Sequence, residues 1–173
     1  SRLAPGQAGL TRPLPAAASV QALQAEQLGW AACATSEFIG EWQALAARAS
    51  EPNPFHEYWY LLPALRALDG EAAVSLFAVR VQGELVGILP VRRESRYYGK
   101  PLPHLAGWTH PNSFLGAPLV AAGFELVFWR ALLDWADRAR GRGLFLHLPG
   151  LALHGAIFAA LGEVLGEQRR RWG

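Results

Sequence analysis

Between Ala73 and Arg92 the chain leaves helical spacing. Ala73 to Val81 is rich in strand formers, Gln82-Gly83 follows, and Leu85 to Arg92 makes a second such run. Two runs joined this way predict a β-hairpin whose strands pair antiparallel. Pro90 cannot donate to a ladder, so the second strand is expected to bend, or to lie at an edge, near that point.

Helical patterns flank the hairpin on both sides. Thr35 or Ser36 suits an N-cap, with Glu37 favouring the positive end of the dipole. Phe38, Ile39, Trp42, Leu45 and Ala46 then form one apolar face that ends before Pro52. A second helix is predicted from His56 to Leu68, closed by Asp69-Gly70 in the manner of a glycine cap. Beyond the hairpin, residues 95–113 read as loop, Leu115 to Val120 as a short strand, and Phe124 to Ala139 as a third helix. That helix is apolar over most of its circumference, which predicts burial on more than one side. Gly141-Arg142-Gly143 ends it, Leu144 to Leu148 reads as a buried strand, and a fourth helix follows Pro149-Gly150. Residues 19–29 suit an edge strand, and residues 1–18, with Pro5, Gly6, Gly9, Pro13 and Pro15, read as a flexible lead-in. The expected fold is therefore a mixed α/β sandwich over residues 19–173, with a parallel or splayed strand pair at its end.

Charge narrows the partner class. The net charge is +2, and all but Lys100 of the 16 basic residues are arginine, in short clusters rather than a stripe. No nucleic-acid partner is expected from that pattern. No apolar run reaches the length of a membrane span, so no span is expected. A single cysteine, Cys33 among alanines, reads as a buried structural thiol in a reducing, cytoplasmic setting.

The stretch from Arg96 to Phe114 concentrates Tyr97, Tyr98, His104, Trp108, His110, Asn112 and Ser113. Aromatic and polar groups on a long connection suit a substrate pocket, and they equally suit a surface loop packed by its own rings. His110 is the candidate general base, because imidazole chemistry suits deprotonating an amine near neutrality. His56 and Glu57 could face the same place, or simply begin a helix. No metal site is expected, since His104 and His110, or His147 and His154, lack a completing ligand.

Three segments carry a family resemblance: Glu41-Trp42-Gln43-Ala44-Leu45-Ala46 with Asn53-Pro54-Phe55 and Trp59, then Leu85 to Val91, then Gly116 to Val120. In this order, over about residues 38–165, they resemble a bacterial acetyltransferase-like family associated with cellulose biosynthesis. That family is related to the Fem-type aminoacyl transferases and has the N-acetyltransferase (GNAT) fold. The resemblance implies a GNAT-like mixed sheet with flanking helices. It also implies that this chain is the first of two acyltransferase-like halves, truncated after its fourth helix. The acyl donor, acetyl-CoA or another acyl-CoA, or an aminoacyl-tRNA, then belongs to the full-length protein. Acyl-CoA binders of this fold carry a Gln/Arg-x-x-Gly-x-Gly/Ala loop before the third helix, whereas here the junction reads Leu119-Val120-Ala121-Ala122-Gly123-Phe124. Donor binding by this chain alone is therefore not expected.

The expected function is the acceptor side of an N-acyltransferase that moves an acyl group to an amine, on a small molecule or a sugar. Phe55, Trp59, Tyr97, Tyr98, Trp108 and Asn112 are the expected substrate-binding residues, with His110 catalytic. The expected partner is a second acyltransferase-like half or a partner subunit. Two other readings stay open: a non-catalytic module that binds a partner through its third and fourth helices, and a complete small acetyltransferase that dimerises.

Overall fold

The computed structural model describes residues 22–139 and 145–172. The expected lead-in over 1–18 and the Gly141-Arg142-Gly143 helix end lie outside them. In chain order the elements are β1 (Leu23–Gly29), α1 (Ser36–Ala47), α2 (Tyr58–Leu68), β2 (Ser75–Val81), β3 (Glu84–Glu94), β4 (His104–Gly107), β5 (Leu119–Val120), α3 (Glu125–Arg138), β6 (Leu146–His147) and α4 (Gly155–Trp172). Short 3-10 turns occupy Trp30–Cys33 and Pro54–His56. The fold is mixed α/β. Its sheet runs β1-β2-β3-β4-β6, with β5 also paired to β3. β1 to β4 are successively antiparallel, and β6 runs parallel to β4.

Local chemistry sets most boundaries. The Thr35 side chain accepts a hydrogen bond from Phe38 N at 3.2 Å and starts α1. Helix α2 begins at Tyr58 rather than His56, because Asn53 accepts from Phe55 N and holds Pro54–His56 in a turn of its own. Its end also differs from expectation. Asp69, not Gly70, closes it: the carboxylate accepts from Ala73 N, Val74 N and Trp30 Nε1 at 3.0, 2.9 and 2.9 Å. The β2–β3 hairpin turns at Gln82-Gly83 as the sequence predicted, with φ of 52° and 81°.

Pro90 has a more specific effect than bending the strand. β3 continues through it to Glu94 with β2 on one side. On the other side, Trp108 N donates to Pro90 O at 2.8 Å, so the missing Pro90 N–H faces β4. The ladder breaks there. β4 stops at Gly107 and the chain leaves the sheet, returning as β5 on the same edge of β3. Val91 faces Gly107 and Ile88 faces Leu119, so three steps along β3 advance the partner by twelve residues instead of three. β4 and β5 are thus one interrupted strand with a nine-residue surplus, and the excursion occupies residues 109–118.

The sheet also divides at this break. β6 flanks the β4 half, while a segment after α1 flanks the β5 half through an Ala49–Ala121 bridge. The strand expected over Leu115 to Val120 is cut to two residues for a related reason. Gly116 N donates to Gly150 O at 2.9 Å, and Ala117 O accepts from Asn53 Nδ2 at 2.7 Å, so neither is free for a ladder.

Both faces of the sheet are covered. On one, Phe77 meets Phe128 and Trp135 of α3, with ring centroids 5.8 and 4.9 Å apart. Gly87 lets α3 approach, since a methyl group there would overlap the Phe128 ring. On the other face Arg80 reaches α1, bonding Glu41 at 2.7 and 3.0 Å. The second apolar side of α3 is taken by α4: Trp129 Nε1 donates to Ile157 O at 2.8 Å, and Arg130 pairs with Glu167 at 2.7 Å. The apolar surplus of α3 is used within the chain.

Candidate functional site

Helix α2 buries Leu61, Leu62 and Leu65. Trp59 and Tyr60 are out of phase with that stripe and project away from the core. The excursion brings His110 to Tyr60 and Phe114 to Phe55. Tyr60 makes edge contacts with Phe55, Trp59 and His110 at centroid distances of 5.1, 6.1 and 6.2 Å, and Phe55 meets Phe114 at 6.1 Å. Trp59 is 53% exposed and Phe114 81% exposed, so the cluster is an open shelf. Trp59 is nonetheless held: its Nε1 donates to Glu57 Oε2 at 2.7 Å. A solvent-facing indole with its N–H already bonded is a stacking surface.

His110 has a defined hydrogen-bonding state. Asn112 N donates to His110 Nδ1 at 2.8 Å, so in the neutral ring the proton sits on Nε2. The neutral ring therefore has a donor at Nε2. The general-base role expected from the sequence needs a free lone pair, and Nδ1 supplies one only when released from Asn112.

Four of the expected residues, Phe55, Trp59, His110 and Asn112, converge here. Tyr60 and Phe114 join them without having been singled out. The signal for Tyr60 lay in its phase, one position off the α2 stripe beside Trp59. Trp108 does not join: it follows β4 and belongs to the core. Tyr97 and Tyr98 precede β4 and lie at its opposite end. The region read as one loop over 95–113 contains a strand, which separates its aromatics into two groups.

The second group lines a groove of about 290 Å³ formed by Arg96, Tyr97, Tyr98, His104 and His147. His104 is buried and stacks on Phe145, with centroids 4.7 Å apart and planes within 3°. Its Nδ1 donates to Leu102 O at 2.9 Å.

His56 sits in the turn next to Phe55 but faces inward. It is 2% exposed, and neither ring nitrogen has a hydrogen-bond partner of good geometry among the described residues. Burial pushes its pKa down to about 4, against a smaller opposing effect of the Ala117 backbone. Cys33 is also buried, and burial, with Glu26 nearby, pushes its thiol up to about 11.

The start of α3 is where a helix of this kind would meet an anion. Here the backbone amides turn inward: Ala121 N donates to Val86 O, Ala122 N to Arg48 O and Phe124 N to Ala121 O. The Glu125 carboxyl occupies the first turn. Burial works against its ionisation, yet the Ser50 side chain and the amides of Glu125 and Gly123 hold it below the usual glutamate range. No cluster of three metal-ligating side chains exists among the described residues, and no helix there is long and apolar enough to cross a membrane.

Compared with protein-family models, curated proteins and solved structures, the chain matches none.

Proposed function

We propose that this chain is the acceptor-side part of an N-acyltransferase, holding an amine-bearing sugar while an acyl group arrives from a donor held elsewhere. The observation that carries the reading is the shelf itself. An exposed Trp59 suits the C–H face of a pyranose ring, and His110, which meets Tyr60 as Trp59 does, carries an Nε2–H that can orient a hydroxyl or carbonyl. The element order supports it too: a strand, two helices, three antiparallel strands with the last interrupted, then helix, parallel strand and helix. That is the order which the resemblance to GNAT acetyltransferases implies.

The chemistry is aminolysis. The amine nitrogen attacks the acyl carbonyl carbon, the C–N bond forms, the bond to the donor's sulfur or oxygen breaks, and the amine's proton passes to the departing thiolate or alkoxide. Glu125 already fills the anion position at α3, which supports a donor (acyl-CoA or aminoacyl-tRNA) on a second acyltransferase-like half or a partner subunit. The same feature favours the second reading, a non-catalytic module of this fold.

Titration separates them. A β-1,4-linked glucosamine oligomer is expected to change Trp fluorescence saturably, and Trp59→Ala to weaken it by about 1–3 kcal/mol, the worth of a stacked ring. Acetyl-CoA is expected not to bind. Absence of any sugar-amine binding sinks the acceptor reading, and micromolar acetyl-CoA binding would mean that the donor site lies in this chain.

A further inference from the structure

We infer that the groove at the opposite end of β4 is a second ligand site, one that takes an anion carried on a flat ring. It is built from residues the shelf does not use and is independent of the acyl-transfer reading. Its volume of about 290 Å³ suits a single ring with a charged substituent.

The lining carries one fixed positive charge. Arg96, Tyr97, Tyr98, His104 and His147 contribute a guanidinium, two imidazoles and two phenols, and no carboxylate. Arg96 makes no hydrogen bond or ion pair with any described residue. A guanidinium facing a groove with nothing to neutralise it is a ready bidentate partner for phosphate or carboxylate.

The histidine beneath it is fixed. His104 is 2% exposed, stacked on Phe145, and held by Leu102 O through Nδ1. Its Nε2 has no partner among the described residues. Tyr97 walls the groove, in edge contact with His104 at 5.3 Å and His147 at 5.3 Å.

Tyr98 forms the lip and belongs to a tight hairpin turn. It has φ of 46° in a Tyr98-Gly99 turn closed by paired bonds between Tyr97 and Lys100, both 3.0 Å. Both central positions have positive φ, as in the Gln82-Gly83 hairpin turn, and the Tyr98 side chain is 87% exposed. The turn sets an aromatic side chain in the same lining as the unpaired Arg96 guanidinium. Stacking on Tyr98 with the anion on Arg96 is the arrangement that uses both.

The test is calorimetric titration at low salt with phenyl phosphate and, separately, benzoate. At least one is expected to bind saturably at one site, about tenfold or more tighter than inorganic phosphate or phenol. Arg96→Gln and Tyr98→Ala, both at exposed positions, are expected each to weaken it by about tenfold or more with unchanged melting. Arg66→Gln, a remote exposed arginine, is expected to leave it intact. Preference for phenyl phosphate assigns the anion as phosphate, and preference for benzoate as carboxylate. The inference is overturned if neither aryl anion saturates, or if binding survives both groove substitutions.

Discussion

A histidine with 2% exposure and no hydrogen bond from any described residue at either ring nitrogen is held neutral, and this makes His56 a pH-dependent element of stability. Its folded pKa of about 4 lies below the ordinary histidine value of 6.5. Between those values the unfolded chain binds a proton that the folded chain does not, so folding stability falls as pH falls. The contribution is fully present above the unfolded pKa and lost as pH approaches 4. At roughly 1.4 kcal/mol per unit it amounts to about 3 kcal/mol. His56→Leu removes both the proton site and two unpaired polar atoms while leaving the Trp42 Nε1 bond to the His56 carbonyl in place. Urea unfolding of both chains from pH 7 to 4 should show the wild type losing about 3 kcal/mol more than the variant. Parallel curves would remove His56 from this account.

The excursion is the element on which the candidate site depends, and its anchor is a close approach of two turns. Gly116 donates to Gly150 O, and a methyl group at Gly116 would overlap the Pro149 carbonyl oxygen. Gly116→Ala should therefore cost about 1–3 kcal/mol as overpacking does, and should also loosen the shelf by releasing Phe114 and His110. Denaturation together with sugar-amine titration checks this; an unchanged midpoint would contradict it. The helices and the β2–β3 hairpin were legible because their signals are local: the Thr35 cap, the α2 stripe, the Gln82-Gly83 turn. β4 was not. His104–Gly107 has only four residues among Pro101, Pro103 and Pro111, and it is a strand because β3 pairs with it. Pro90 was flagged as an interruption, but which neighbour it interrupts depends on which edge of β3 its nitrogen faces. The site was legible in part. Phe55, Trp59, His110 and Asn112 do meet, while Tyr97 and Tyr98 were grouped with them only because the intervening strand went unseen.

At the scale of the whole molecule, one short segment after α1 ties the parts together. The Arg48 guanidinium bonds Leu85 O at 2.6 Å and Glu84 at 3.0 Å. Ser50 N donates to Val120 O at 2.8 Å, and Asn53 holds the excursion through Ala117 O. Between them Glu51 Oε1 accepts from Ile157 N at 3.1 Å, capping α4 from a position 106 residues away in sequence. Glu51→Ala should cost about 1 kcal/mol, the usual worth of a lost helix cap. For a chain of this size the midpoint should fall by roughly 2–4 °C. A thermal melt reads it directly, and no shift would mean α4 is held by its α3 contacts alone. The interrupted strand has a consequence for redesign. The chain leaves the ladder beside Pro90 and rejoins it beside Ile88, roughly 7 Å away at 3.3–3.4 Å per residue. Whatever lies between need only return to nearly where it began. Residues 109–115 can thus be lengthened, randomised or exchanged for a foreign loop while both halves of the strand keep their register, which makes this scaffold a host for grafted recognition loops.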